Sequence, residues 1–135
     1  MNDPTLANFA ERYARAWCSH DPDAVAAFFA ENGSLSVNDG PPAVGRAAIA
    51  EIARGFVRDF PDMIVTFDKL GPASADESCD AVFHWTLIGT NTGPDGRGNP
   101  VRISGYEQWK FNSADLVVES KGHFDAADYE RQIKG

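Results

Sequence analysis

The residue with the clearest chemical potential is Glu107, a carboxyl group set among apolar side chains of a predicted strand. Alternation over residues 101–111 puts it on the same face as Trp109. A carboxyl group that loses water on such a face has a raised pKa, which suits general acid–base catalysis. Two alternatives stay open. The opposite face, with Tyr106 and Gln108, could point inward instead, and an inward Glu107 could be only a structural hydrogen-bond acceptor.

Three other residues are candidates for hydrogen bonding or proton transfer to a ligand. Tyr13 lies on the apolar stripe of a predicted helix, where a buried phenol needs a carboxyl or ligand oxygen, unless its tip reaches solvent. Asp39 follows a predicted short strand and could stand at a pocket mouth, although Asn-Asp-Gly-Pro is also an ordinary turn sequence. His123 lies near a strand end, where a neighbouring carboxylate could make it a base or it could be structural.

Aromatic side chains are numerous enough to form both a core and a ligand pocket, since the chain has 9 Phe and 3 Trp. The alternative is that they form core alone. The candidates for binding a substrate are Trp17, Phe28, Phe56, Phe60, Phe83, Trp85 and Trp109.

The sequence offers no pattern typical of a metal or cofactor site. His20, His84 and His123 lie on different predicted elements, without ligand spacing or a cysteine companion. The glycine-rich stretch 89–98 lacks the Gly-Lys-Ser/Thr ending of a phosphate loop, and no Gly-x-Ser-x-Gly elbow occurs. We therefore expect neither a metal nor a cofactor, and we expect His84 to be a sheet-face or interface histidine.

Helical periodicity predicts three helices in the first half of the chain. The first begins at Asp3-Pro4, and the second runs from Asp21-Pro22 to Asn32-Gly33. A short strand over 34–37 follows. The third helix has a wide apolar stripe from Ile49 to Phe60 and ends at Pro61.

The hydrophobic period falls to two after Met63, which indicates strands. The predicted strands are 63–67, 81–90, 101–111 and 116–124, with loops at 71–76 and 91–99 and a terminal helix after Asp125. Helices followed by long antiparallel strands predict an α+β fold, in which a curved antiparallel sheet wraps around the N-terminal helices. We expect a single domain over residues 1–135.

The charge balance excludes some partners. With 20 acidic and 12 basic residues, the net charge is −8, which argues against nucleic acid and against an anionic membrane surface. No apolar run approaches the roughly 20 residues of a spanning helix. The N-terminus lacks the pattern of a secretory signal, so we expect a cytoplasmic protein.

Several segments carry a family resemblance. They are Glu-Arg-Tyr-Ala-Arg-Ala-Trp at 11–17, His-Asp-Pro-Asp-Ala-Val at 20–25, Phe-Phe-Ala-Glu-Asn-Gly at 28–33, Gly-Arg-Ala-Ala-Ile at 45–49, and Trp-Thr-Leu-Ile-Gly-Thr-Asn-Thr-Gly at 85–93. Together they resemble the nuclear transport factor 2-like superfamily, in its SnoaL-like polyketide cyclase and ketosteroid isomerase-related branch. The resemblance implies a cone-shaped, cystatin-like α+β barrel with a hydrophobic pocket.

The resemblance also implies roles for particular positions. In ketosteroid isomerases a first-helix Tyr and a protonated carboxyl hold the substrate oxyanion, and these match Tyr13 and Glu107. The isomerase base falls at or near Val37, with Asp39 two residues on. The cyclase His falls on Asn91 and the cyclase acid on Gly122, so this sequence departs from both patterns.

Taken together, the resemblance and the residues predict a cofactor-free enzyme that acts on a small apolar carbonyl compound by acid–base chemistry, as an isomerase or polyketide cyclase-like protein. Glu107 and Tyr13 would stabilise an oxyanion, and Asp39 or His123 would move the proton. The alternatives are a non-catalytic dimeric module that binds a small molecule in the same pocket and a dimeric adaptor with no ligand. The family usually dimerises through the open sheet face, which implies a homodimer through the row Val82, His84, Thr86 and Ile88.

Overall fold

The computed structural model describes residues 3–71, 79–93 and 96–134. Its elements, in chain order, are α1 (Asp3–Cys18), α2 (Pro22–Ala26), β1 (Phe29–Val37), β2 (Ala43–Val44), α3 (Arg46–Asp59), β3 (Ile64–Gly71), β4 (Ala81–Asn91), β5 (Asn99–Phe111), β6 (Val117–Phe124) and α4 (Ala126–Lys134).

The strands form one six-stranded sheet in the order β2-β1-β6-β5-β4-β3. Helix α3 carries the chain from β1 to the far edge at β3, and the meander from β3 to β6 brings it back beside β1. That route makes β1 and β6 a parallel pair within the predicted antiparallel sheet. In the described part of the chain the edge strands β2 and β3 do not pair, and the curved sheet stays open. The α+β cone fold itself is confirmed.

The second helix is shorter than predicted, and the prediction of helix is wrong after Ala26. It ends at Ala26, and β1 begins at Phe29. Strand β6 captures this segment: the Val117 N–H donates to the Phe28 carbonyl (3.0 Å), and the Phe29 side chain is fully buried. Gly33, which the sequence suggested as a helix end, instead allows close approach, because a Cβ there would lie 2.7 Å from the Val117 carbonyl oxygen.

The helices cover one face of the sheet, which we call the inner face; it carries the odd-numbered residues of β4 and β5. Phe83 and Trp109 are fully buried there and stack with their ring centroids 4.8 Å apart. Tyr13 of α1 meets both rings edge-on, at 5.4 and 5.3 Å. This aromatic cluster fixes the sheet against α1 and surrounds the buried carboxyl described below.

Helix α4 covers the edge of β5 that β6 leaves unpaired. The Gln132 amide donates to the Arg102 carbonyl (2.9 Å) and accepts from the Arg102 N–H (2.7 Å). The Asn99 amide donates to the Ile133 carbonyl (3.0 Å). Such pairing blunts an edge that could otherwise recruit another strand.

The other predicted boundaries mostly fall within a few residues of those observed. Strand β1 is longer than predicted, and β3 extends from the predicted 63–67 to Gly71. The hairpin that joins β4 and β5 is closed by the pair Asn91 and Asn99, as the turn-rich sequence predicted. Most of the predicted 71–76 loop lies outside the described residues. Among the described helices, none combines the length and apolarity needed to cross a bilayer.

Candidate functional site

A cavity opens between the inner face of the sheet and helices α1 and α3. It encloses about 560 Å³ of empty space, its open mouth included. Its walls are almost entirely hydrocarbon and aromatic. They are formed by Trp17, Leu35, Val37, Ile52, Phe56, Val65, Phe83, Trp85, Leu87, Glu107, Gly122 and Phe124. Glu107 is the one ionisable side chain in this lining as the structure describes it, so the cavity suits a small apolar ligand with one polar group.

Glu107 is held through one of its two carboxyl oxygens. Oε1 accepts hydrogen bonds from the hydroxyl of Ser120 (2.6 Å), the hydroxyl of Tyr13 (3.1 Å) and the indole N–H of Trp109 (3.1 Å). No described residue donates to Oε2. Every fully buried polar side-chain atom in the described part of the chain has a hydrogen-bond partner, so Oε2 is not fully buried and faces the cavity.

Burial makes the neutral form of Glu107 more favourable than it is in water. Burial raises the pKa of this carboxyl above its ordinary value, and the hydrogen bonds from Ser120, Trp109 and Tyr13 only partly oppose that rise. Because Oε1 already accepts three hydrogens, the proton of the neutral acid belongs on Oε2. The acid form therefore presents an O–H donor to the cavity.

Tyr13 lies beside Glu107 but behind it, outside the cavity lining. Its hydroxyl hydrogen is used on Glu107 Oε1, and the side chain is fully buried. Burial raises the pKa of Tyr13 well above its usual value, and the negative charge that Glu107 carries when ionised adds to this rise. The structure brings these two predicted residues together, yet it gives Tyr13 the task of orienting the carboxyl rather than contacting a ligand.

The predicted aromatic residues divide between the cavity and the core. Those that line the cavity are Trp17, Phe56, Phe83 and Trp85. Phe28 packs instead on Phe9 with a ring-centroid distance of 5.2 Å, and Phe60 packs on Tyr129 at 6.1 Å. Trp109 is fully buried behind Phe83 and serves Glu107 through its indole N–H.

Asp39 and His123 lie away from Glu107. Both line a second open groove, called the outer groove, together with Tyr106, Asp125 and Phe124, of which Phe124 also lines the cavity. The His123 imidazole Nε2 is 3.1 Å from Gln108 Oε1. Asp39 has a left-handed backbone (φ 62°) in the turn that follows β1, as the turn interpretation predicted. Neither residue belongs to the cavity lining that contains Glu107.

Two positions that the family resemblance singled out are cavity walls. Val37, at the isomerase base position, and Gly122, at the cyclase acid position, are paired neighbours on β1 and β6, and both line the cavity. Gly122 also pairs with Glu107 across β5 and β6. Asn91, at the cyclase His position, lies outside this lining and donates to the Asp59 carbonyl (3.3 Å).

Several residues that shape the cavity were not predicted from the sequence. The aliphatic ones are Leu35, Val37, Ile52, Val65 and Leu87. The sequence pattern could have indicated one of them, because Ile52 lies on the predicted apolar stripe of α3. Ser120 makes the shortest hydrogen bond to Glu107, but the sequence pattern did not indicate this role. The role depends on the register of β6 against β5.

Comparison with known proteins identifies a family domain over most of the chain. Residues 10–120 match the model of the SnoaL-like domain. No sequence among the curated proteins matches the chain significantly.

Solved structures share the fold at low sequence identity. A candidate polyketide cyclase from Xanthomonas campestris pv. campestris is 19% identical, with a TM-score of 0.80 over 98% of this chain and 99% of that one. A protein with a ketosteroid isomerase-like fold from Catenulispora acidiphila, in complex with trimethylamine, is 15% identical, with a TM-score of 0.78 over 98% and 95%. The epoxide hydrolase/cyclase-like enzyme SalBIII, which acts in pyran ring formation in salinomycin, is 19% identical, with a TM-score of 0.76 over 95% and 97%.

Proposed function

The chain belongs to the SnoaL-like domain family, and we propose that it is a cofactor-free enzyme that acts on a small apolar carbonyl compound by acid–base chemistry. This fold hosts several reactions, so the choice among them depends on the site rather than on the family. One observation carries the proposal: Glu107 is held by three donors on Oε1, and its Oε2 faces an otherwise apolar cavity.

The chemistry follows from the position of the proton. With the neutral acid, Oε2–H donates a hydrogen bond to the carbonyl oxygen of a bound ligand. That bond strengthens as negative charge develops on the oxygen, which lowers the energy of an enolate or oxyanion. The apolar walls exclude water from the bond and so increase its effect. Tyr13, Trp109 and Ser120 hold the acid in place and need not move during the reaction.

The cavity holds an acid without a separate protein base in its described lining. A substrate that carries its own nucleophile or base needs only such an acid, as in an intramolecular ring closure. An isomerisation would instead require Glu107 itself, or water at the cavity mouth, to accept the proton from carbon. The site therefore favours cyclase-like over isomerase-like chemistry.

A specific observation supports a second candidate, a non-catalytic module that binds a small molecule. The two cavity positions where the resemblance implied a base or acid are occupied by Val37 and Gly122. In that case Glu107 would anchor the polar group of the ligand without transferring a proton.

Proton exchange distinguishes the two. NMR in deuterated water would follow exchange at the α-carbon of enolisable ketones and lactones with the wild type and Glu107→Gln. Glutamine keeps an oxygen for the three donors and an N–H for the ligand but is a far weaker acid, so we expect ligand affinity to survive and exchange to fall by about 100-fold. The matched control is Asp39→Asn, in the outer groove, which should leave exchange unchanged.

Saturable exchange that is lost in Glu107→Gln would establish acid–base catalysis. Saturable binding without exchange over the whole panel would contradict proton abstraction from carbon at this site, and would leave the binding module or ring closure of a substrate that carries its own base. Loss of exchange in Asp39→Asn would show that the outer groove takes part, against the arrangement described above.

We also propose that the protein is a homodimer through the outer face of its sheet. Ile64 and Ile88 pair across β3 and β4 with 55% and 43% of their surface exposed, and Tyr106 lies on the same face at 37%. The rings of His84 and Tyr106 contact each other beside them at a tilted angle, with their centroids 5.8 Å apart. Exposed large apolar side chains on one face are typical of a protein contact, and a second copy presents the same surface.

A further inference from the structure

Two glycines on the inner face of the sheet, Gly105 and Gly122, differ in what an added Cβ would meet. At Gly105 an added Cβ would overlap the His123 carbonyl oxygen and lie 2.5 Å from the Trp85 ring, so glycine is required there by close packing. At Gly122 an added Cβ would meet only the Ser36 carbonyl oxygen at 3.4 Å and the Glu107 Cγ at 3.8 Å. These are ordinary van der Waals distances, so packing does not require a glycine at 122.

The backbone does not require one either. The glycines with a left-handed backbone are Gly45 and Gly98 among those the structure describes, and Gly122 is not one of them. An alanine would fit at 122 without strain and without a clash. Neither packing nor backbone conformation therefore requires glycine at 122, and the effect of the missing side chain is to leave empty space beside it.

That room lies against the acid. Gly122 pairs directly with Glu107 across β5 and β6, and both residues line the cavity. On the other side of Gly122, Val37 is its paired neighbour on β1. A gap one side chain wide thus separates Glu107 from Val37 on the floor of the cavity.

We propose that Gly122 determines which ligands reach Glu107: the gap above it receives the ring or branched carbon that bears the carbonyl group, and it selects neutral cyclic ketones or lactones over larger-headed ligands. This inference rests on the proposed function, which supplies the carbonyl group of the ligand. It adds that Gly122 limits the size of the group that bears this carbonyl. A methyl group at 122 narrows the gap while leaving the three donors to Glu107 in place.

The test compares three ketones of increasing size, acetone, cyclohexanone and α-tetralone, by quenching of tryptophan fluorescence, since Trp17 and Trp85 line the cavity. In Gly122→Ala we expect the dissociation constants of the two cyclic ketones to rise about tenfold or more and that of acetone to change little. The matched control is Gly55→Ala, because an added Cβ at 55 meets no described heavy atom within 4 Å.

A second variant guards against misfolding at 122. Val37→Ala widens the same gap from the neighbouring strand, so it should tighten binding of α-tetralone and partly restore it when combined with Gly122→Ala. If each ketone has the same dissociation constant in wild type, Gly122→Ala and Val37→Ala, the role of Gly122 is overturned while the proposed function stays intact. Wild-type protein that binds none of the three would overturn the proposed function and this inference together.

Discussion

At the scale of single residues, one carboxyl oxygen of Glu107 accepts hydrogen bonds from three buried donors. Tyr13, Trp109 and Ser120 all donate to Oε1, and all three are at least nine-tenths buried. A buried donor without an acceptor costs about 1–3 kcal/mol. The protein should therefore distinguish sharply between substitutions that keep this oxygen and those that remove it.

Glu107→Leu should be strongly destabilising and Glu107→Gln should not. Leucine leaves three donors unpaired, which lowers the free energy of unfolding by about 3 kcal/mol or more, whereas the glutamine Oε1 still accepts all three hydrogens. Urea unfolding of the two variants measures the difference. Equal stability of Glu107→Leu and Glu107→Gln would show that Oε1 does not hold this network.

The same carboxyl should make stability depend on pH. Burial raises the pKa of Glu107 in the folded protein, so the folded state binds the proton more tightly than the unfolded state. Its contribution is fully present below the unfolded pKa of about 4.3 and is lost as the pH rises through the folded pKa. Urea unfolding across this range should show wild type losing free energy of unfolding relative to Glu107→Gln as pH rises. A constant difference would contradict a raised pKa.

Residue types alone identified the carboxyl but not its full setting. The apolar alternation of β5 indicated that Glu107 could point inward, and Tyr13 was identified as a buried phenol in need of a partner. Asp39 and His123 were plausible as residue types, yet they lie in the outer groove, because strand β6 turns the His123 side chain to the opposite face from Gly122. That fact depends on strand register, which no short pattern specifies.

At the scale of elements, strand β5 packs closely against β4 and β6 at Gly105. The strand β5 passes so near Trp85 and the His123 carbonyl that even a methyl group at 105 has no space. The obstruction is backbone on one side, and backbone cannot rotate away.

Gly105→Ala should accordingly lower the free energy of unfolding by about 2 kcal/mol or more, through overpacking. Gly122→Ala, on the next strand and the same face, should cost far less. Thermal unfolding of both variants makes the comparison. Similar melting temperatures for the two would contradict the close approach of β5 and β6 at this point.

Element types followed largely from the sequence, because α3 and the long strands have strong periodicity. The failure at 27–33 has a physical cause. Phe28 and Phe29 suit a helix stripe as well as a buried strand, and the parallel partner that decides between them, β6, lies about 90 residues later in the chain. Local patterns carry no information on such a distant partner.

At the scale of the whole molecule, the proposed dimer makes a prediction about the outer face. Ile88→Lys places a charge in the centre of the proposed contact, where burial of an unpaired charge is costly. We expect this variant to be monomeric by light scattering under conditions in which wild type is dimeric. Val44→Lys is the matched control, since Val44 is also exposed (61%) but lies on β2, at the far edge of the sheet. A wild-type monomer, or a dimer in Ile88→Lys, would contradict the proposal.

The account as a whole depends on a neutral acid that faces the cavity, and a titration of that group tests it most directly. Carbon NMR of protein labelled at the glutamate carboxyl carbons, with Glu107→Gln to assign the signal, reports the protonation of Glu107. We predict a midpoint clearly above that of the other glutamates, and a further rise in Ser120→Ala, because the hydrogen bond from Ser120 lowers the pKa of Glu107. A Glu107 signal that titrates with the exposed glutamates would contradict the proposed acid and the chemistry derived from it.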